Sequence, residues 1–262
     1  MKDSIIKIIK RISILFFWLI IWELGSLFLN KEILLPGPIS VFKRLSGLLF
    51  EEYFWKSIFY SLLRVFGALI ISIIMGIIFG IMAGIFKIFE EIMEPFMAAV
   101  KSTPVMSIII LALVWLKAGN VAIFTAMLIC FPIIYTNVLQ GLKSVDTKII
   151  EMARLYRVKK VYVIKYVYLP AIKSYIVSGI ILCLGLAWKV VVASEILSTP
   201  KYSIGLNLLN SKTMLDTEEL FAWTIVVVIL SLILENVFRK QILKKGDKYN
   251  NGNGSKTKFN RI

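Results

Sequence analysis

Five polar or charged side chains sit inside or against long apolar runs: Lys101, Ser102 and Thr103 in VKSTPVM, and Lys189 and Glu195 in AWKVVVASEIL. A charge within an apolar stretch long enough to cross a bilayer is costly and often marks a route for ions or solute. Lys101 stands one to two turns into its run, so its long stem can snorkel to the interface, or the ammonium can line a polar path with Ser102 and Thr103. Lys189 and Glu195 are six residues apart and are not helical neighbours. At ~1.5 Å per residue Lys189 lies some 28 Å beyond Pro170, near the far interface, where gating and interfacial anchoring both remain open. Other chemistries are poorly provided for. The chain has no histidine, and Cys130 and Cys183 both fall inside apolar runs, which argues against a metal site, a disulfide framework and histidine general-base catalysis. A phosphate-binding Gly-rich loop is missing too, so the chain is not expected to hydrolyse ATP by itself.

A second stretch is organised differently. Residues 151–170, EMARLYRVKKVYVIKYVYLP, place Met152, Leu155, Tyr156, Val163 and Val167 at helical spacings, with Arg154, Arg157, Lys159, Lys160 and Lys165 interspersed. The pattern predicts an amphipathic helix pressed against a protein surface. Glu151 alone reads as a helix-start carboxylate favoured by the dipole, a contribution under ~1 kcal/mol.

The elements that position these residues follow from hydropathy. With 58% hydrophobic residues among 262 and a mean hydropathy of +0.82, the chain is too apolar for an ordinary soluble domain. Six spans are expected, at residues 12–29, 58–86, 95–116, 121–142, 170–197 and 220–238. Pro95 opens the third, Pro104 kinks it, and Pro170 falls in the first turn of the fifth. Gly76, Gly80 and Gly84 give the second span a small-residue stripe for close helix approach. Between the first two spans, Leu35-Pro36-Gly37-Pro38 reads as a loop, and Ile39, Phe42, Leu45 and Leu48 as the apolar face of a surface helix. Trp18, Trp22 and Trp223 read as interface anchors or packing. Lys2, Lys7, Lys10 and Arg11 precede the first span without a small-residue cleavage site, so it is read as uncleaved. The formal charge of +15 is gathered between and beyond the apolar runs, which suits lipid headgroups and topology better than nucleic acid. With the N-terminus inside, 21 of the 31 Lys and Arg lie on the cytoplasmic side and 7 outside, so both termini are expected in the cytoplasm of a plasma-membrane protein. Beyond Arg239 the tail, rich in Lys, Asn and Gly, is expected to be disordered.

Glu151, Ala153 and the later Leu169-Pro170 resemble the EAA loop of ABC-importer permeases, and the AWK…SE stretch resembles that of the nitrate, sulfonate and taurine branch. Met152 stands where that loop usually has alanine and Arg157 where it has glycine; arginine there is expected to keep the helix going. The resemblance implies an all-α polytopic permease with a cytoplasmic coupling helix. It implies that Glu151, Ala153, Leu155, Tyr156, Arg157, Leu169 and Pro170 serve ATPase coupling, and that Leu155 and Tyr156 fill the ATPase groove. It further implies a partner ATPase dimer carrying ATP and Mg2+, an extracytoplasmic binding protein, a permease homodimer and alternating access for a small anionic solute. Three units are expected: residues 1–57 as an N-terminal span with an external amphipathic segment, 58–238 as the permease core with its coupling loop at 143–170, and 239–262 as a basic cytoplasmic tail. A permease for a thiamine-precursor-like molecule, or a channel or secondary carrier whose basic loop meets anionic lipid, are the alternatives.

Overall fold

The computed structural model describes the backbone of residues 2–29, 31 and 33–254, and side chains at 9–10, 13–14, 16–29, 31 and 33–237. Its helices are α1 (Lys2–Leu29), α2 (Pro38–Leu48), α3 (Glu52–Ile85), α4 (Lys87–Ser102), α5 (Val105–Trp115), α6 (Ala118–Lys143), α7 (Thr147–Leu155), α8 (Lys160–Val163), α9 (Leu169–Ser198), α10 (Ile204–Thr213) and α11 (Thr217–Gly254). Among the described residues there is no strand. Four helical stretches are long and apolar enough to cross a membrane: Glu52–Ile85, Ala118–Lys143, Lys160–Ser198 and Thr217–Val237. The described apolar part of α1, Phe16–Leu29, is shorter.

The core is built on α3, α6 and α9. Gly76 faces Ile134, Gly80 faces Val138 and Gly84 faces Leu142, so α3 and α6 run parallel with their backbones close. Ile134 and Asn137 meet Gly179, and Gly141 meets Ile172 and Tyr175, so α9 runs antiparallel to α6. The glycine stripe thus does what its spacing promised, since close packing is the main attraction between helices in lipid. A Cβ on Gly76 would lie 2.6 Å from the stiff, β-branched Ile134 Cβ, and one on Gly80 2.8 Å from Val138 Cβ and 3.1 Å from the Tyr135 carbonyl oxygen. At Gly84 the closest atom is the movable methyl end of Leu142. Gly76→Ala and Gly80→Ala are each expected to cost about 1–3 kcal/mol by overpacking, and Gly84→Ala clearly less. Thermal unfolding in detergent checks that order.

Several sequence expectations need correction. The third span is not one kinked helix opened by Pro95. Pro95 lies inside α4, and α4 and α5 meet at 103° across Thr103 and Pro104. Because α3 and α6 are parallel, the chain between them must return to its starting side, so the bent pair is a broken crossing. The pyrrolidine of Pro104 removes an amide donor and pushes Thr103 into extended backbone, with φ −77° and ψ 129°. Pro170 does fall in the first turn of α9, as expected, but that turn is not preceded by a loop. It follows a π-helical turn, Ile164–Tyr168, that joins α8 to α9 without a break. A π turn widens the helix and accommodates the donor that proline lacks. Nor is the chain beyond Arg239 irregular: α11 continues to Gly254, and residues 255–262 lie outside the described residues. Residues 239–245 are Lys, Arg, Gln, Ile and Leu, mostly good helix formers, and extending an existing span over the Gly- and Asn-rich residues beyond needs no new nucleus. The surface helix α2 buries Val41 and Leu48 and half-buries Leu45, while Ile39 and Phe42 stay exposed. Trp223 is packing, 4.9 Å from the Phe54 ring; Trp22 donates to the Pro36 carbonyl; Trp18 is exposed.

Candidate functional site

The segment 143–170 folds as a hairpin of two helices. Asp146 caps α7, its carboxylate accepting from the Lys148 amide at 2.9 Å, which satisfies one of the donors a helix start leaves unpaired. The helix then ends at Leu155, contrary to the continuous helix expected from Arg157. Arg157 adopts φ +50°, the left-handed conformation that glycine takes without cost. Its amide donates to the Arg154 carbonyl at 3.0 Å and the Val158 amide to the Ala153 carbonyl at 2.9 Å, the two bonds of a Schellman cap. The turn geometry outweighs the residue's own preference because both carbonyls would otherwise be left open. Arg157→Gly is therefore expected to tighten this turn by about 1 kcal/mol, slowing exchange of the Val158 amide about fivefold. Hydrogen exchange of the full chain reads it directly.

No residue of α7 or α8 is buried. Ala153, Val158 and Val163 lie along the seam where the two helices meet, and cavities of about 360 and 420 Å³ flank it. Ile149, Met152 and Tyr156 line the first with Tyr162 and Tyr166; Ile150, Arg154 and Arg157 line the second with Lys160 and Tyr168. Glu151 and Leu155 line neither, and Leu155 and Tyr156 are 82% and 79% exposed. Ala153 is small where the helices touch. Leu169 is exposed and Pro170 half-buried at the root of the hairpin. The hairpin is spliced to the core pair at both ends: α6 runs into it, and α8 continues through the π turn into α9.

The in-span polar residues form two separate groups. Lys101 and Ser102 are exposed, and Thr103 is half-buried, at the α4–α5 break; Lys101 Nζ donates to Thr136 Oγ1 at 3.0 Å. Ser102 and Thr103 turn their hydroxyls back onto the Ala99 carbonyl. Lys189 is exposed between the buried Trp188 and Val190. Glu195 is sealed in the interior at 0% exposure. Its carboxylate accepts from Arg64 Nη1 at 2.7 Å, from Ser61 Oγ at 2.8 Å and from the Gly205 amide at 3.2 Å. Arg64 also donates to the Tyr202 carbonyl, and the Ile204 amide donates to Ser61. Sequence reasoning missed this grouping of Ser61, Arg64 and Gly205. The signal was present: Ser61 and Arg64 share a helix face, and a buried carboxylate needs an opposite charge. Gly205 packs so tightly on α9 that a Cβ would come within 2.6 Å of the Ile196 amide nitrogen.

The structure is a bundle of membrane-length helices carrying one helical hairpin clear of its core, the architecture of a polytopic membrane protein. Residues 72–243 match the family described as binding-protein-dependent transport system inner membrane component, and the chain belongs to that family. It is thus a multi-pass permease component of an ABC importer. It is 28% identical over 208 residues to a Brucella melitensis protein described as a probable ABC transporter permease, covering 79% of this chain and 84% of the relative. The taurine transport system permease protein TauC of Escherichia coli is 26% identical over 220 residues, 82% of this chain and 80% of its own. The bicarbonate transport system permease protein CmpB of Synechococcus elongatus is 26% identical over 201 residues, 72% and 71%.

Proposed function

We propose that this chain imports a small anionic solute, driven by a separate ATPase dimer that docks on α7 and holds the ATP and Mg2+. The observation that carries the docking is α7 itself, a capped helix with Leu155 and Tyr156 bare and no buried residue. Exposed apolar side chains on a basic helix are suited to an apolar groove in a partner. The distribution of Lys and Arg supports placing this end of the bundle in the cytoplasm, with both termini. The anionic cargo rests on relatives named for taurine and bicarbonate, and Lys101 and Lys189 are the cations available to it.

In this reading nucleotide binding draws two α7 helices together, one from each copy of a homodimer. Each pulls on α6 and α9, whose glycine contacts make them move as one body, and the α4–α5 break is the joint that absorbs the change. A coupling helix works only if its contacts differ between the two states. An extracytoplasmic binding protein delivers the solute. The test is co-expression with a candidate ABC ATPase and binding protein. A tagged permease should retain the ATPase, and reconstituted vesicles should accumulate taurine, another sulfonate or bicarbonate only with ATP inside the compartment facing α7. Uptake without any ATPase would refute it.

A further inference from the structure

The cavity of about 420 Å³ on one side of the α7–α8 seam has a two-part lining: Arg154, Arg157 and Lys160 supply cations, while Ile150, Val163 and Ile164 form an apolar floor. No carboxylate lines it, and the sequence has none between Glu151 and Glu195. Among the described residues, none of the three cations forms an ion pair. Unneutralised charge beside bare hydrocarbon is matched by an anionic amphiphile.

Depth points the same way. Lys160–Ser198 is one helical stretch of 39 residues, longer than a bilayer needs. A crossing of about 20 residues that ends at the exposed Lys189 begins at Leu169, which puts Ile164 and Lys160 roughly 7 and 14 Å beyond it along the axis, at the outer edge of the headgroup layer and within reach of it for long Arg and Lys side chains. Tyr162 and Tyr166, stacked at 6.1 Å on the neighbouring face, are the aromatic residues favoured at that level. Neither Leu155 nor Tyr156 lines this cavity, so the two docking side chains lie outside it.

We propose that this cavity binds an anionic phospholipid, its phosphodiester held by Arg154, Arg157 and Lys160 and its first acyl carbons on Ile150, Val163 and Ile164. A lipid seated there bridges α7 to α8 and sets the angle at which the hairpin leaves the membrane. The inference does not depend on what docks on Leu155 and Tyr156.

The full chain in detergent, titrated with phosphatidylglycerol, phosphatidylcholine or inorganic phosphate and read by native mass spectrometry, tests it. Phosphatidylglycerol should be retained preferentially, and millimolar inorganic phosphate should not displace it. Arg154→Gln with Lys160→Gln should lower that retention about fivefold per cation removed. Arg154→Lys should keep most of it, and Val163→Trp, which fills the floor, should abolish it. Equal retention of the two lipids by the unaltered chain overturns the proposal without any variant. So does full displacement by phosphate, which would mark a bare phosphate site. A double variant that keeps its phosphatidylglycerol but loses the ATPase assigns these cations to the protein partner and overturns it too.

Discussion

Leu155→Asp combined with Tyr156→Asp should abolish both ATPase capture and ATP-driven uptake while leaving the permease folded. Both side chains are almost fully exposed, so the isolated chain loses no packing; surface changes of this kind usually move stability by less than about 0.5 kcal/mol. In a docked complex the same positions are apolar anchors. Burying each side chain is worth about 1.5–3 kcal/mol, and an aspartate in its place adds an unpaired charge to desolvate. A loss of about 4 kcal/mol or more corresponds to roughly 1000-fold in affinity. Pull-down and vesicle uptake should fall together, with an unchanged melting curve. If the double variant still retains the ATPase and still transports, α7 is not the coupling element.

Removing the buried carboxylate should produce the largest effect on stability. Glu195→Ala leaves Arg64, whose side chain is 11% exposed, without its counter-charge, and strips a partner from Ser61 and from the Gly205 amide. Breaking one side of a buried ion pair costs about 3–5 kcal/mol. The damage should concentrate at one end of the bundle, because these bonds tie α3 and α9 to the start of α10. Earlier proteolysis near Tyr202, with a lower melting temperature, is the expected signature. Glu195→Leu with Arg64→Met should recover much of the loss, since an apolar pair of similar volume carries no desolvation cost. Failure of the pair to improve on Glu195→Ala would mean that the carboxylate serves transport beyond holding α10.

Much of the helical architecture could be read from single positions. Gly76, Gly80 and Gly84 repeat every fourth residue and so share a face, and the structure sets α6 against that face. Composition and hydropathy marked a polytopic membrane protein, and Glu151, Ala153 and Leu169-Pro170 marked the segment that folds as the hairpin. Arg157 was misread because propensity is a local average and the turn is not. The αL geometry is imposed by two neighbouring carbonyls that need donors, whatever side chain occupies the position. Pro104 was underestimated for a related reason: a proline removes one donor, but whether the helix bends slightly or breaks at 103° depends on what α4 and α5 each pack against.

Linear order determined that the chain crosses a membrane several times, where its charges sit along those crossings, and which short segment lies between them as a basic rod. Those properties follow from the transfer free energy of each side chain, which needs no knowledge of neighbours. Tertiary structure alone decided that Glu195 is locked to Arg64 while Lys189 stays open, that α4 and α5 share one broken crossing, and that the rod is a hairpin with a two-faced cavity. Each of these depends on residues distant in sequence meeting in space, 131 positions apart for the Arg64–Glu195 pair. Only the packing of α3 and α9 brings that pair within bonding distance.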